Sequence, residues 1–318
     1  MIITEAEPFE GHAPKILFVN EAFERLTGYT RDDVIGKTPH ILQGPKTQRD
    51  ILNKIRSNLE KWNPIRAELI NYKKSGEEFW LELDIVPIAD QTGWYTHWIA
   101  VERDITERKR AELELMRLNR ALLLRSEMAE LISTSPDEQA LLNDACQLAI
   151  DVGGYCTTWI GYAQDDMRKS IKRASVKGSA IEYVQNIEIS WSAEVHEGHG
   201  PAGRTIRSGL PVVSEDFVCD PDFVPWVKIA LNYDLYGVVC LPLNDKTHTF
   251  GLFSLFLGEP RPVAPEEIAL LKALADDLAF GILSLRTREA QKRAQTAILK
   301  VATSISAHAD IGFFEQLN

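Results

Sequence analysis

The residue types that most often do chemistry are present in this chain but dispersed. His196 and His199 stand three apart in VHEGHGP, close enough to share a metal ion, yet no further ligand lies near them on that glycine-rich loop, and a zinc site needs a fuller set of donors. No metal is expected. Cys146, Cys156, Cys219 and Cys240 form no CxxC pair and read as reduced thiols. The acid pairs Asp165–Asp166 and Asp276–Asp277 fall on expected loop or helix surface, where solvated charge is the default. There is no GxSxG turn, no phosphate-cradling GxxxxGK[ST] loop and no HExxH, and GHGPAG does not follow the dinucleotide pattern after a strand. With no nucleophile, base and orienter readable together, no catalytic site is assigned and the chain is expected not to be an enzyme. What remains is a group of rings beside loops: Trp191, His196, His199, Trp226, Tyr233 and Tyr236. Such side chains combine contact area with a polar handle and are the candidate lining of a ligand pocket, although Trp226 and Tyr236 are also accounted for by ordinary packing.

The elements that must position these residues follow from hydrophobic period. Residues 1–105 alternate short strands with helices and end in three β-rich runs separated by KKSG and DQTG, each with a glycine where a hairpin loop needs positive φ. Residues 106–132 turn helical. Ala111, Leu115, Leu118, Leu122, Ala129 and Ile132 alternate by three and four, with Arg125 in the missing place. That is a heptad seam, and a pairing with a second copy is expected. Asp104 with Glu107 three residues on resembles a capping box at the helix start. Residues 133–264 form a second α/β unit, and 265–297 a long helix in which Ile268, Leu271, Ala275, Leu278, Ile282 and Leu285 repeat the heptad spacing. Residues 298–318 resume an apolar pattern and read as the opening of a further domain. The expected class is α+β: two mainly antiparallel sheets flanked by helices, joined and followed by long coiled-coil-like helices.

Composition excludes several function classes. The 318 residues carry 35 Lys plus Arg against 46 Asp plus Glu, a net charge of -11, so a general attraction to phosphate backbones or anionic lipid is absent and no nucleic-acid partner is expected. Phe250 to Leu257 is too short to span a bilayer, and Ile268 to Leu285 is interrupted by Lys272, Asp276 and Asp277. No membrane partner is expected. The start MIITEAEPFE has no signal-peptide pattern, and a cytoplasmic location is expected.

Three motifs carry a resemblance. FVNEAFERLTGYTRDDVIGK, the strand entry GEEFW and the ending AVERDITERK resemble the PAS sensor family. Within it, GKTPHILQGPKT and LINYKKSGEEFWLEL resemble the flavin-binding LOV branch. By that resemblance Gln43 and Asn71 match flavin-contacting positions and Arg56 a phosphate-contacting arginine. The departures are Pro39 at the adduct-forming cysteine, Leu81 at a ring-binding asparagine, Glu102 at the ring-reading glutamine and His40 at a second phosphate-contacting arginine. Light-driven thiol chemistry is therefore excluded at Pro39. The pocket is expected to hold a small apolar ligand or to be filled by its own side chains, with flavin as a further alternative. HGPAGRTIRSGLPVVSEDF, DPDFVPWVKIALNYDLYGVVCLPL and FGLFSLF resemble a GAF domain, whose family members bind diverse small molecules or none.

The resulting expectation is a sensory module arranged PAS, helix, GAF, helix, which passes pocket occupancy through dimeric helices to a C-terminal effector. By resemblance that effector turns over cyclic di-GMP or is a histidine kinase, although the chain carries no signature of either. Asp104, Ile105 and Thr106 are the expected mechanical joint, and Leu115, Leu118, Leu122, Ile268, Leu271, Leu278 and Ile282 the expected dimer seam. The alternative is a ligand-free dimerisation scaffold.

Overall fold

The computed structural model describes residues 1–6 and 14–315, with side chains as far as Leu299. Contacts divide the chain into two units, Met1–Leu115 and Met116–Asn318. The side chains of residues 300–318, most of the segment expected to open a further domain, lie outside the described residues.

In the first unit, strands β1 (Ile2–Glu5), β2 (Ile16–Val19), β3 (Ile65–Tyr72), β4 (Glu78–Ala89) and β5 (Tyr95–Asp104) form an antiparallel sheet in the order β2-β1-β5-β4-β3. The KKSG and DQTG loops join the last three strands, and Gly76 and Gly93 both take φ of +86° there, a region that disfavours residues with a Cβ. Helix α1 (Glu21–Thr27) is capped by Asn20, whose side chain accepts from the Phe23 amide at 3.1 Å. Helices α2 (Arg31–Val34) and α3 (Arg49–Leu59) follow. The buried side chains fall in two groups: Ile2, Ile16, Val19, Phe23, Val34 and Leu42 in one, and Ile65, Ile85 and Trp98 in the other, where Trp62 stacks on Trp98 at 5.2 Å.

Strand β5 runs into helix α4 (Thr106–Thr134) after one residue. The expected capping box is replaced by a different clamp. Asp104 accepts from the Thr106 amide at 2.8 Å, but Glu107 pairs with Arg110 at 2.8 Å instead of reaching back. The strand itself closes the turn: the Ile105 amide donates to the Trp80 carbonyl, and the Trp80 amide donates to Thr106 Oγ1, both at 3.0 Å. The helix start is thus fixed by reciprocal bonds to Trp80 of the neighbouring strand β4 and not by a carboxylate reaching back from Glu107.

The second unit contains α5 (Glu138–Asp151), β6 (Thr157–Ala163), β7 (Ile171–Gly178), α6 (Ile181–Asn186), α7 (Pro201–Ser208), β8 (Val212–Ser214), α8 (Val224–Leu231), β9 (Gly237–Asn244), β10 (Thr249–Leu257) and α9 (Pro265–Glu315). Its antiparallel sheet runs β7-β6-β10-β9-β8. One core packs α5 and parts of α4 and α9 on the sheet; a second, around Trp159, Tyr183, Phe217 and Phe256, holds α6, α7 and α8 on the sheet's other side.

This packing corrects half of the expected dimer seam. Leu271, Leu278 and Ile282 are fully buried in their own unit's core and Ile268 packs against it, so none of the four faces a partner. A three-four alternation is the signature of any helix with one apolar stripe, and here the stripe lies on the sheet. On α4 the buried line is Ala121, Leu124 and Met128, while Leu115 and Leu122 are 60% and 51% exposed and Leu118 is half-buried. The helix therefore turns one stripe to its own core and leaves the Leu115 and Leu122 part of the heptad stripe outward, while Ile132 at the stripe's end packs on the core. Among the described residues no helix is long and apolar enough to cross a membrane.

Candidate functional site

The first unit encloses a cavity of about 410 Å³ between the sheet and α3. Side chains two apart on a strand share a face, so Leu81, Leu83 and Ile85 of β4, and Trp98, Ala100 and Glu102 of β5, form one wall. Leu69 and Asn71 of β3 continue it, in register with Leu81 and Phe79. Opposite, α3 presents Leu52, Ile55 and Leu59 at helical spacing with Arg56 beside them. Pro39 and His40, in a 3-10 turn spanning Pro39–Leu42, and Gln43 just after it line the rim.

Gln43, Asn71, Leu81, Glu102, His40 and Arg56, six positions distant in sequence, are thus brought together around one cavity. It is not filled by its own side chains, which corrects that expectation for this unit. Trp98, Arg49 and Asn53 also line it and were not anticipated. The signal for Trp98 was available, since it alternates with Ala100 and Glu102 at period two; Arg49 and Asn53 owe their position to the approach of α3, which periodicity does not report.

The polar groups of the wall are unusual. Asn71 Oδ1 and Glu102 Oε2 are shut off from solvent with no hydrogen-bond partner among the described residues. Burial pushes the Glu102 carboxyl up to about 7, with the Met1 ammonium offsetting a part. Near neutral pH it is therefore partly a protonated acid, able to donate. At the rim, Arg56 pairs with Glu60 at 3.1 Å and His40 Nδ1 lies 3.2 Å from Thr38 Oγ1.

The reverse face of the sheet carries charge. Glu82 of β4 meets Arg66 at 2.7 Å and Arg103 and Arg108 at 3.6 Å, and Glu68 of β3 meets Arg108 and Lys109 at 2.6 Å. Hydrogen bonds from these cations hold both carboxyls below the usual range. Strands β3 and β4 are thereby tied to the first turn of α4.

In the second unit the six ring residues separate. His196, Trp226 and Tyr233 line a cavity of about 290 Å³. Trp191 instead donates its Nε1 to the Gln164 carbonyl at 2.9 Å, His199 Nε2 lies 3.1 Å from the Ala193 carbonyl, and Tyr236 is held by backbone bonds to Phe217 and Leu257. None of these three lines that cavity, which corrects their assignment. Tyr183, Glu188 and Glu197 line it and were missed; a six-residue helix, IEYVQN, carries too little periodicity to mark its inward side. No cluster of three or more His, Cys, Asp or Glu able to hold a metal occurs among the described residues.

Residues 8–107 match the family described as PAS domain, and residues 135–283 the family described as GAF domain. Over 91 residues, 29% of the chain, it is 43% identical to a blue-light-activated histidine kinase of Brucella anthropi and covers 18% of that protein. Over 299 residues, 92% of the chain, it is 29% identical to the bacterioopsin transcriptional activator of Halobacterium salinarum and covers 42% of it. It therefore spans less than half the length of either relative. Solved structures similar to it include a flavin-analogue study of a light-oxygen-voltage domain, with 29% identity, TM-score 0.32, and coverage of 35% of this chain and 82% of that one. Another is the light state of the Aureochrome1 LOV domain, with 28% identity, TM-score 0.32, and coverage of 35% and 84%. Two antiparallel sheets, each with its own cover of helices, and these matches define a sensory module of the signalling class. The chain carries a PAS domain followed by a GAF domain.

Proposed function

We propose that the chain is the input half of a signalling protein whose PAS cavity holds a flat heteroaromatic ligand of the flavin class without a covalent bond. The observation that carries this reading is an open volume of about 410 Å³ whose wall contains two buried polar atoms, Asn71 Oδ1 and Glu102 Oε2, without partners among the described residues. An unpaired buried polar atom costs about 1–3 kcal/mol, a cost relieved by a ligand that offers a donor to Asn71 Oδ1. The protonated Glu102 carboxyl can in turn donate to a ring acceptor. Apolar walls sandwich the ring, and Arg49, Arg56 and His40 at the rim suit an anionic tail. Leu81 leaves one ring edge unpaired, and Pro39 provides no thiol for attachment. Flavin, when bound, supplies blue-light absorption and one-electron chemistry; the chain's own residues bind it, orient it and exclude water.

Readout would begin at Glu102, two residues before the end of β5. The Trp80 clamp on Ile105 and Thr106 and the ion pairs of Glu68 and Glu82 would transmit a shift of the sheet to α4. The outward Leu115 and Leu122, with Leu118, would pair α4 with a second copy. A transcriptional output is supported by the relative that aligns over both units, in preference to cyclic di-GMP turnover.

The test is purification of the chain, followed by acid release and mass analysis, and reconstitution with flavin mononucleotide monitored by its visible bands and quenched fluorescence. One flavin per chain is expected, with tighter retention in Leu81→Asn. Folded protein that takes up no flavin, with Leu81→Asn equally empty, would refute it.

A further inference from the structure

We infer that the second unit binds a small organic cation of the methylated-ammonium type in the cavity between α6, α8 and the loop around His196. Three independent features converge there. The first is an aromatic enclosure. Tyr183, Tyr233, Trp226 and His196 line a space of about 290 Å³. Tyr183 and Tyr233 lie 5.9 Å apart at 50°, and His196 stacks on Trp226 at 6.3 Å and 12°. Ring faces carry negative quadrupole charge and attract a cation held within about 6 Å.

The second feature is charge. Glu188 and Glu197 line the same cavity, and neither is in an ion pair among the described residues. Burial, and after it the Glu182 carboxylate beside the Tyr233 hydroxyl, hold that hydroxyl above its usual range. The nearby arginines are committed elsewhere: Arg173 donates to the carbonyls of Val184 and Ile187, and Arg207 to those of Trp191, Ser192 and Gly198. The cavity is thus negative and lacks a competing internal cation at its wall.

The third feature lies deeper. Tyr183, Ile187, Glu197 and Trp226 also border an inner cavity of about 40 Å³. Its floor is a row across three strands, Trp159, Ser254 and Cys240, set by the β6–β10 and β10–β9 registers. Trp159 is 1% exposed, and its Nε1 is buried without an acceptor among the described residues. A space of this size admits one polar heavy atom, such as the hydroxyl or carbonyl oxygen of a short tail, or a water in its absence. The outer cavity takes the cationic head and the inner one the oxygen.

Calorimetric titration of the full chain with choline, set beside 3,3-dimethylbutan-1-ol, tests this, because the two share a shape and differ in charge. Saturable choline binding is expected, with the neutral compound at least about tenfold weaker. Glu197→Gln with Glu188→Gln, both accessible positions, should weaken choline severalfold without changing the melting profile, and Trp226→Leu should weaken it more. Equal affinity for the two compounds, or no choline heat at millimolar concentration from protein with a normal melt, overturns the assignment. Flavin content of the PAS cavity is read separately by absorbance, so failure here is distinguishable from failure of the proposed PAS ligand.

Discussion

Replacing Glu102 by glutamine tests the electrostatics of the PAS cavity directly. The carboxyl titrates at about 7 in the folded chain against an ordinary 4.5. At about 1.4 kcal/mol per tenfold, that is about 3 kcal/mol of penalty on the ionised form. The folded state keeps the proton to higher pH than the unfolded state does, so the stability this group confers is fully present below pH 4.5. It is lost as pH rises through about 7. Glu102→Gln keeps the side-chain shape and removes the ionisation. The variant should match the parent at pH 4.5 and exceed it by up to about 3 kcal/mol at pH 8, the upper figure holding if no water solvates the carboxylate. Because the chain has two units, a single melting transition would blur the result. Hydrogen exchange of the β4 and β5 amides isolates the PAS sheet, and other titrating groups cancel between the two proteins. A difference in protection that is the same at pH 5 and pH 8 would refute the reasoning.

The two halves of the expected seam should respond oppositely. Leu278→Asp puts a carboxylate in the second unit's core and should cost more than about 4 kcal/mol, seen as loss of that unit's unfolding transition. Leu122→Asp should change monomer stability by less than about 0.5 kcal/mol and, if α4 pairs with a copy, halve the mass found by light scattering. Glu267 accepts from Arg261 at 2.7 and 2.9 Å and lies 3.4 Å from the Tyr155 hydroxyl, with both charged side chains largely buried. Glu267→Ala should therefore cost about 3–5 kcal/mol in urea unfolding, because it strands the guanidinium.

The sequence reveals most where one physical rule decides a position. The glycines of KKSG and DQTG fix two hairpins, period two then places Leu81, Leu83 and Glu102 on one face, and the PAS cavity follows. The α9 stripe was misassigned because Leu271, Leu278 and Ile282 obey a spacing shared by a coiled coil and by a helix lying on its own sheet. Only the presence of a sheet to lie on separates the two. Tyr236 and Trp191 were misplaced for another reason. Rings near loops are equally suited to line a cavity or to pin a turn, and here backbone bonds to Phe217 and Leu257, and the Gln164 carbonyl, decide for the turn.

The two domains differ in what an occupant could move. In the second unit the rings of Tyr183 and Trp226 are set against a closed row of strands, and the deep space measures only about 40 Å³. The PAS cavity is larger and lies against the strand that becomes α4. On β5, Glu102 faces the cavity, Arg103 faces the ion pairs of Glu82, and Asp104 meets the Thr106 amide. Three consecutive residues therefore engage the ligand side, the charged reverse side and the helix start in turn. An occupant that bonds Glu102 cannot shift that residue without altering its neighbours' contacts, because alternation along a strand fixes their directions. Disrupting the clamp with Thr106→Val, which removes the Trp80 acceptor while keeping the shape, should thus leave ligand affinity intact and abolish any ligand-dependent change in α4 exchange. Unchanged coupling in that variant would assign transmission to the Glu68 and Glu82 ion pairs alone.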